Sequence, residues 1–173
     1  GTNARSDDSV NFFSSRGPTR SAWTDTLGVR HVDNLLKPDL VAPGNAIVGA
    51  GATQASSTTP TWNTLGTLFY SQLVASTGIT QTYRGTQMQL SGTSVAAPAV
   101  SGAVALMLHQ NPGLTPPLIK AILQFTAQPI AGASLLQQGA GLLNVDGAVR
   151  LAKVLKADIG SALAAGTLKA GDD

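Results

Sequence analysis

Apolar residues in this chain come in short runs punctuated by glycine and proline, and the periodic ones lie in its second half. Val10 to Phe13 is a short apolar run entering the turn Ser14 to Pro18. Ser21 to Leu36 is polar and without a period, which predicts a surface excursion. Leu40 to Ala42 is a brief apolar run between prolines, and Ala46 to Ala50, ended by Gly51, is a candidate strand. Residues 51–86 are rich in Thr, Ser, Gly and Gln, with Trp62, Phe69, Tyr70 and Tyr83 scattered through them. A loop of that length inside a domain is functional or holds structure of its own.

Gln87 to Leu90 reads as a strand leading into Ser91-Gly92-Thr93-Ser94. A helix follows, with Ala97, Val100, Val104 and Leu108 at the three-to-four spacing of an inner face. Its apolar run, Val95 to Leu108, is too short to span a membrane and is broken by Pro98, Ser101 and Gly102. Asn111-Pro112-Gly113 stops this helix. Thr115 then reads as an N-cap with Pro116 at the first helical position, opening a helix to about Thr126 with Leu118, Ile122 and Phe125 inward. Gly141 to Val145 is extended, and Asp146 caps a last helix through Leu155. No repeat and no linker interrupts residues 1–155, which read as part of one α/β domain; residues 156–173 are Ala- and Gly-rich and are expected to form a frayed tail.

Composition narrows the function classes. At 173 residues, 43% hydrophobic and 12% charged, the chain is globular rather than disordered. The net charge is +2, and the Lys and Arg residues are scattered without a basic stripe or aromatic interleaving, so no nucleic-acid partner is implied. No segment implies a membrane partner. With no cysteine, thiolate catalysis, disulfides and cysteine metal sites are excluded. Low charge with abundant Ser, Thr, Gln and Gly suits a secreted, extracellular bacterial protein.

Ser94 is the residue with candidate chemistry. Gly92 lets the backbone approach closely, Ala96 and Ala97 are small, and Ser94 falls at a predicted helix start. There, unpaired N–H groups and the positive end of the helix dipole face an incoming oxyanion. The commoner use of Thr or Ser before an apolar helix is as an N-cap, and the residues alone favour that role for Thr93 or Ser94.

Gly92-Thr93-Ser94-Val95-Ala96-Ala97-Pro98, followed by Ser101-Gly102, resembles the nucleophile signature of the subtilisin-like serine peptidases. Phe13-Ser14-Ser15-Arg16-Gly17-Pro18 resembles that family's F-S-S-x-G-P turn, and Lys37 to Gly44, KPDLVAPG, its K-P-D-[LIV]-x-A-P-G segment. Gly141-Leu142-Leu143-Asn144-Val145 resembles the stretch before its last helix. The resemblance implies a three-layer α/β fold, a mostly parallel sheet flanked by helices, with N-terminal strands lying outside this chain. It implies Ser94 as nucleophile and backbone oxyanion donor, the Thr93 hydroxyl as a further candidate for oxyanion support, and a protein or peptide substrate. It implies no catalytic cofactor; structural calcium occurs in such proteins, but no residue here is assigned to it.

The resemblance places the triad aspartate and histidine before the serine along the chain. Neither of the two histidines fits. His31, in GVRHVD, lacks an H-G-T-H context, and His109 lies about four helical turns beyond Ser94. No aspartate sits in a D-[ST]-G context; Asp39 reads as structural and Asp7-Asp8 as a solvated pair. Asn3 and Asn11 are poor substitutes for the oxyanion asparagine. The chain therefore reads as the C-terminal part, residues 1–155, of a subtilisin-like catalytic domain with a long insertion at 51–86. Alone it is expected to be inactive, and to fold only by homo-oligomerising, by exchanging segments or by pairing with its N-terminal counterpart. A non-catalytic scaffold or binding module derived from such a peptidase stays open beside the endopeptidase.

Overall fold

The structure, a computed structural model of the chain, describes residues 4–51, 53–54, 61–62, 64–80 and 87–169. The remaining parts of the 51–86 insertion and of the C-terminal tail, Tyr83 among them, and also Asn3, lie outside the described residues. In chain order the elements are β1 (Ala22–Thr24), β2 (Arg30–Val32), β3 (Ile47–Ala50), β4 (Thr53–Gln54), β5 (Thr61–Trp62), α1 (Thr64–Leu68), α2 (Tyr70–Leu73) and β6 (Gln87–Leu90). Then follow α3 (Thr93–Gln110), α4 (Pro116–Thr126), α5 (Leu135–Gln138), α6 (Val145–Val154) and α7 (Ile159–Ala164). The chain divides into two units, residues 1–43 with 96–173, and residues 44–95.

The first unit has a helical core. Ala103 and Met107 of α3, Leu114, Ile119, Ile122 and Leu123 of α4 and its approach, and Ala148 and Ala152 of α6 are buried together. Pro116 opens α4 as expected, with Thr115 extended at the N-cap position, although the Thr115 side chain makes no capping bond. Asn144 rather than Asp146 caps α6, accepting the Gly147 N–H at 3.0 Å. Asp146 instead pairs with Arg150 one turn on. Three expected inward residues point elsewhere. Phe125 is 82% exposed, because Ile119, Ile122 and Leu123 set the inner face of α4, and Ala97 and Leu108 are exposed where Ala103 and Met107 are buried.

Three of the sequence motifs converge in this unit. The Gly17 N–H donates to the Leu136 carbonyl, Ala140 N–H to Asp39 O, Val41 N–H to Gly141 O and Leu143 N–H to Val41 O. Gly139 takes φ 61°, and a Cβ there would stand 2.2 Å from the Pro38 carbonyl oxygen, so backbone approach and backbone conformation both require glycine. Val41 and Leu142 form a parallel bridge; among the described residues the strand pairs themselves are antiparallel. The KPDLVAPG aspartate also ties this layer to α4: Asp39 bonds Lys37, Lys120 at 2.8 Å and Gln124 at 3.5 Å.

Lys120 first, then Lys37, hold the Asp39 carboxyl below the usual carboxylate range against a smaller opposing effect of burial. A lowered native pKa stabilises the fold above the unfolded value of about 3.9, and that stability is lost as pH falls through the lowered pKa. Asp39→Asn is therefore expected to cost about 1 kcal/mol at neutral pH, the scale of a solvent-screened pair. The deficit should vanish in acid below the Asp39 pKa. Chemical unfolding from pH 7 into the acid range checks this, and a deficit constant with pH would contradict it.

The predicted surface excursion, Ser21 to Leu36, contains the exposed hairpin β1–β2, with Ala22 opposite Val32 and Thr24 opposite Arg30. Asp25 organises its turn: Oδ1 accepts the Leu27 and Val29 N–H groups, both at 2.9 Å, and Oδ2 meets His31 Nε2 at 2.8 Å. The imidazole stacks on Trp23 with ring centroids 4.4 Å apart. The expected frayed tail carries α7.

The second unit is built on the antiparallel pair β3–β6, with Ile47 opposite Leu90 and Ala50 opposite Gln87. The 51–86 insertion holds elements of its own, the β4–β5 pair and the short helices α1 and α2, with α2 against β6. Val74 and Met88 are its buried apolar side chains among the described residues.

Candidate active site

Strand β6 runs into Ser91 and Gly92, and α3 begins at Thr93. The flanking cap position is therefore Gly92, whose carbonyl accepts the Val95 N–H at 3.0 Å. Ser94 lies inside the first turn and is not the N-cap. This removes the structural use that most serines at such a point serve.

The geometry around Ser94 is open. Its side chain is exposed, and among the described residues its hydroxyl has no hydrogen-bond partner. Gly92 has φ 154°, and a Cβ on it would come 3.3 Å from Ser94 Oγ, so a side chain here would crowd the hydroxyl. The Ser94 N–H sits among the first-turn donors that an α-helix leaves without intrahelical acceptors. Those donors and the N-terminal dipole of an 18-residue helix favour negative charge beside Oγ. Thr93, also exposed, occupies the first helical position next to it.

Neither histidine is hydrogen-bonded to this hydroxyl among the described residues. His31 is bound to Asp25 and stacked on Trp23 in its hairpin. His109 lies in the last turn of α3, some four turns and ~22 Å along the helix from Ser94, far beyond hydrogen-bond reach. Asp39 is engaged with its lysines. Among the described residues no three His, Cys, Asp or Glu side chains cluster as a metal site requires, and no helix is long and apolar enough to cross a membrane. What the turn itself presents is an exposed hydroxyl with first-turn N–H groups beside it.

Sequence reasoning missed the residues that hold the serine's turn in place. Ser91 Oγ accepts the Ala46 N–H at 2.8 Å and donates to Asn45 Oδ1 at 3.0 Å, while the Gly92 N–H donates to Gly44 O at 2.7 Å. The only signal for it was that Asn45 and Ser91 each flank one of the motifs.

The strand–turn–helix unit thus presents an exposed serine in the first turn of a helix, directly after a Gly-Thr pair. The family model of the subtilase family matches residues 2–148, and the chain belongs to that family. It is 30% identical over 148 residues to the serine protease AprX of Bacillus subtilis (strain 168), a match covering 86% of this chain and 27% of that protein. It is 36% identical over 120 residues to the subtilisin-like protease SBT2.1 of Arabidopsis thaliana, covering 68% of this chain and 11% of that one. A solved structure, fervidolysin from Fervidobacterium pennivorans, described as a keratinolytic enzyme related to subtilisin, aligns over 75% of this chain and 18% of its own with 24% identity and a TM-score of 0.44. The chain thus spans about a quarter or less of the length of these curated relatives. Membership in the family carries the α/β fold class read from the sequence motifs.

Proposed function

We propose that these residues carry the nucleophile portion of a secreted serine endopeptidase, with protein or peptide as substrate. Ser94 Oγ attacks the scissile carbonyl carbon, and a histidine outside these 173 residues takes its proton. The Ser94 N–H then stabilises the tetrahedral oxyanion, with the Thr93 hydroxyl as further support. Collapse breaks the C–N bond, the amine leaves with the proton from the histidine, and water hydrolyses the Ser94 ester. The observation that carries this reading is the position of Ser94: exposed, in the first helical turn, beside a glycine, and not a cap.

The partner that supplies the histidine, the aspartate and a second oxyanion donor is the remainder of the catalytic domain. Helix α3 supports this. Its exposed side carries Ala97, Pro98, Gly102, Ala105, Leu106 and Leu108 beside Ser101 and His109, and is largely apolar. A helix apolar on most sides is ordinarily covered on more than one of them.

The test compares the 173 residues alone with the complete catalytic domain on a peptide substrate. The chain alone is expected to show no turnover above background, and the complete domain to hydrolyse the peptide. Turnover by the chain alone would overturn the assignment of the base to an outside segment. A folded but inert complete domain would favour the alternative, a scaffold or binding module built on a peptidase fold.

A further inference from the structure

The ladder between β3 and β6 ends where Ile47 faces Leu90. Only Ser91 and Gly92 then separate the last rung from the helix that bears Ser94. Gly92 is the residue type with the greatest backbone freedom, so the aim of the nucleophile depends on what fixes the chain just before it. That role falls to the Ser91 hydroxyl. It replaces the next rung by accepting the Ala46 N–H at 2.8 Å, and its own proton goes to Asn45 Oδ1 at 3.0 Å, which fixes the direction of its lone pairs. The Gly92 N–H to Gly44 carbonyl bond, at 2.7 Å, closes the clamp from the backbone side.

The opposing strand gives a second observation. Ala46 has φ 54°, a left-handed conformation that alanine rarely adopts. Asn45 and Ala46 are exposed, so burial does not impose it. The hydroxyl that takes the Ala46 N–H holds this turn against Ser91. We propose that Ser91 is a positioning residue for the nucleophile, oriented by Asn45, and that it sets where Ser94 Oγ and the Ser94 N–H lie relative to a substrate carbonyl. The inference rests on Ser94 being the nucleophile.

The test is made in the complete catalytic domain, with kcat and KM on a peptide substrate and the melting temperature as the folding control. Misplacement of a reacting group by about 1 Å costs up to roughly 100-fold in rate, and water replaces part of an exposed hydrogen bond. Ser91→Ala is therefore expected to lower kcat about 10-fold with KM within about twofold. Ser91→Thr keeps the hydroxyl and is expected to restore kcat to within about twofold of the parent, while Asn45→Ala gives an intermediate loss of about threefold. A parental kcat in Ser91→Ala overturns the proposal, as does a Ser91→Thr variant that falls as far as Ser91→Ala. Should Ser91→Ala lose its melting transition, Asn45→Ala decides, and parental kcat there overturns the clamp. Ser94→Ala runs alongside: activity retained by that variant defeats the nucleophile assignment itself, an outcome distinct from failure of the clamp.

Discussion

Replacing Ser94 with alanine in the complete catalytic domain is expected to lower peptide hydrolysis by about 10⁶-fold, the scale known from loss of the nucleophile in subtilisin itself. The fold should barely respond. Ser94 is exposed, makes no hydrogen bond among the described residues and does not cap α3, so the variant's stability should stay within about 0.5 kcal/mol of the parent. This pairing separates the two roles open to a serine at a helix start. An N-cap serine changed to alanine costs about 1 kcal/mol of stability and no chemistry. A large activity loss with an unchanged unfolding midpoint is expected, and a destabilised variant that keeps its activity would reverse the reading.

The largest stability effect is expected at Asn111, which the sequence offers only as the end of a helix. Its side chain is 2% exposed. Nδ2 donates to the carbonyls of Ala152 at 3.0 Å, Leu155 at 3.1 Å and Lys156 at 3.3 Å, and Oδ1 accepts the Gly113 N–H at 3.1 Å. One amide thus closes the C-terminus of α6 and the turn after α3. Asn111→Ala leaves the buried Ala152 carbonyl, two part-buried carbonyls and the Gly113 N–H without this partner, at a cost of about 3 kcal/mol. Asn111→Asp keeps the acceptor, loses the donors and sets a negative charge against carbonyl oxygens, so it should not rescue. Denaturant unfolding measures both, and a loss under about 1 kcal/mol in Asn111→Ala would contradict this role.

What the sequence shows and hides follows from how local each signal is. Strand β6 and helix α4 were legible because their boundaries are written within a few residues: the run into Ser91-Gly92, and Thr115 before Pro116. The inner face of α3 was not, because a helix apolar on most sides gives periodicity nothing to choose between, and Met107 rather than Leu108 turned inward. The β1–β2 hairpin escaped because its strands are 3 residues long and exposed, held by the Asp25 carboxylate rather than by an alternating pattern. For the site, the motif around Ser94 was plain, and so was the lack of a suitable histidine. The links from Ser91 to Asn45 and from Asn111 to α6 join residues some forty positions apart that no local pattern connects.

The convergence of Gly17, Asp39 and Gly139 to Gly141 gives the motifs a physical reason. Each glycine or backbone donor there meets another segment's main chain, where no side-chain pattern would reveal the need. They build the layer that holds Val41 beside Leu142, while a Cβ on Gly92 would crowd Ser94 Oγ.

The most direct test of Ser94 as the nucleophile is fluorophosphonate labelling followed by peptide mapping. In the complete catalytic domain the adduct is expected on the peptide containing Ser94, absent from the Ser94→Ala variant, and absent from the 173 residues on their own. An adduct on another serine, or labelling undiminished in Ser94→Ala, would contradict the assignment.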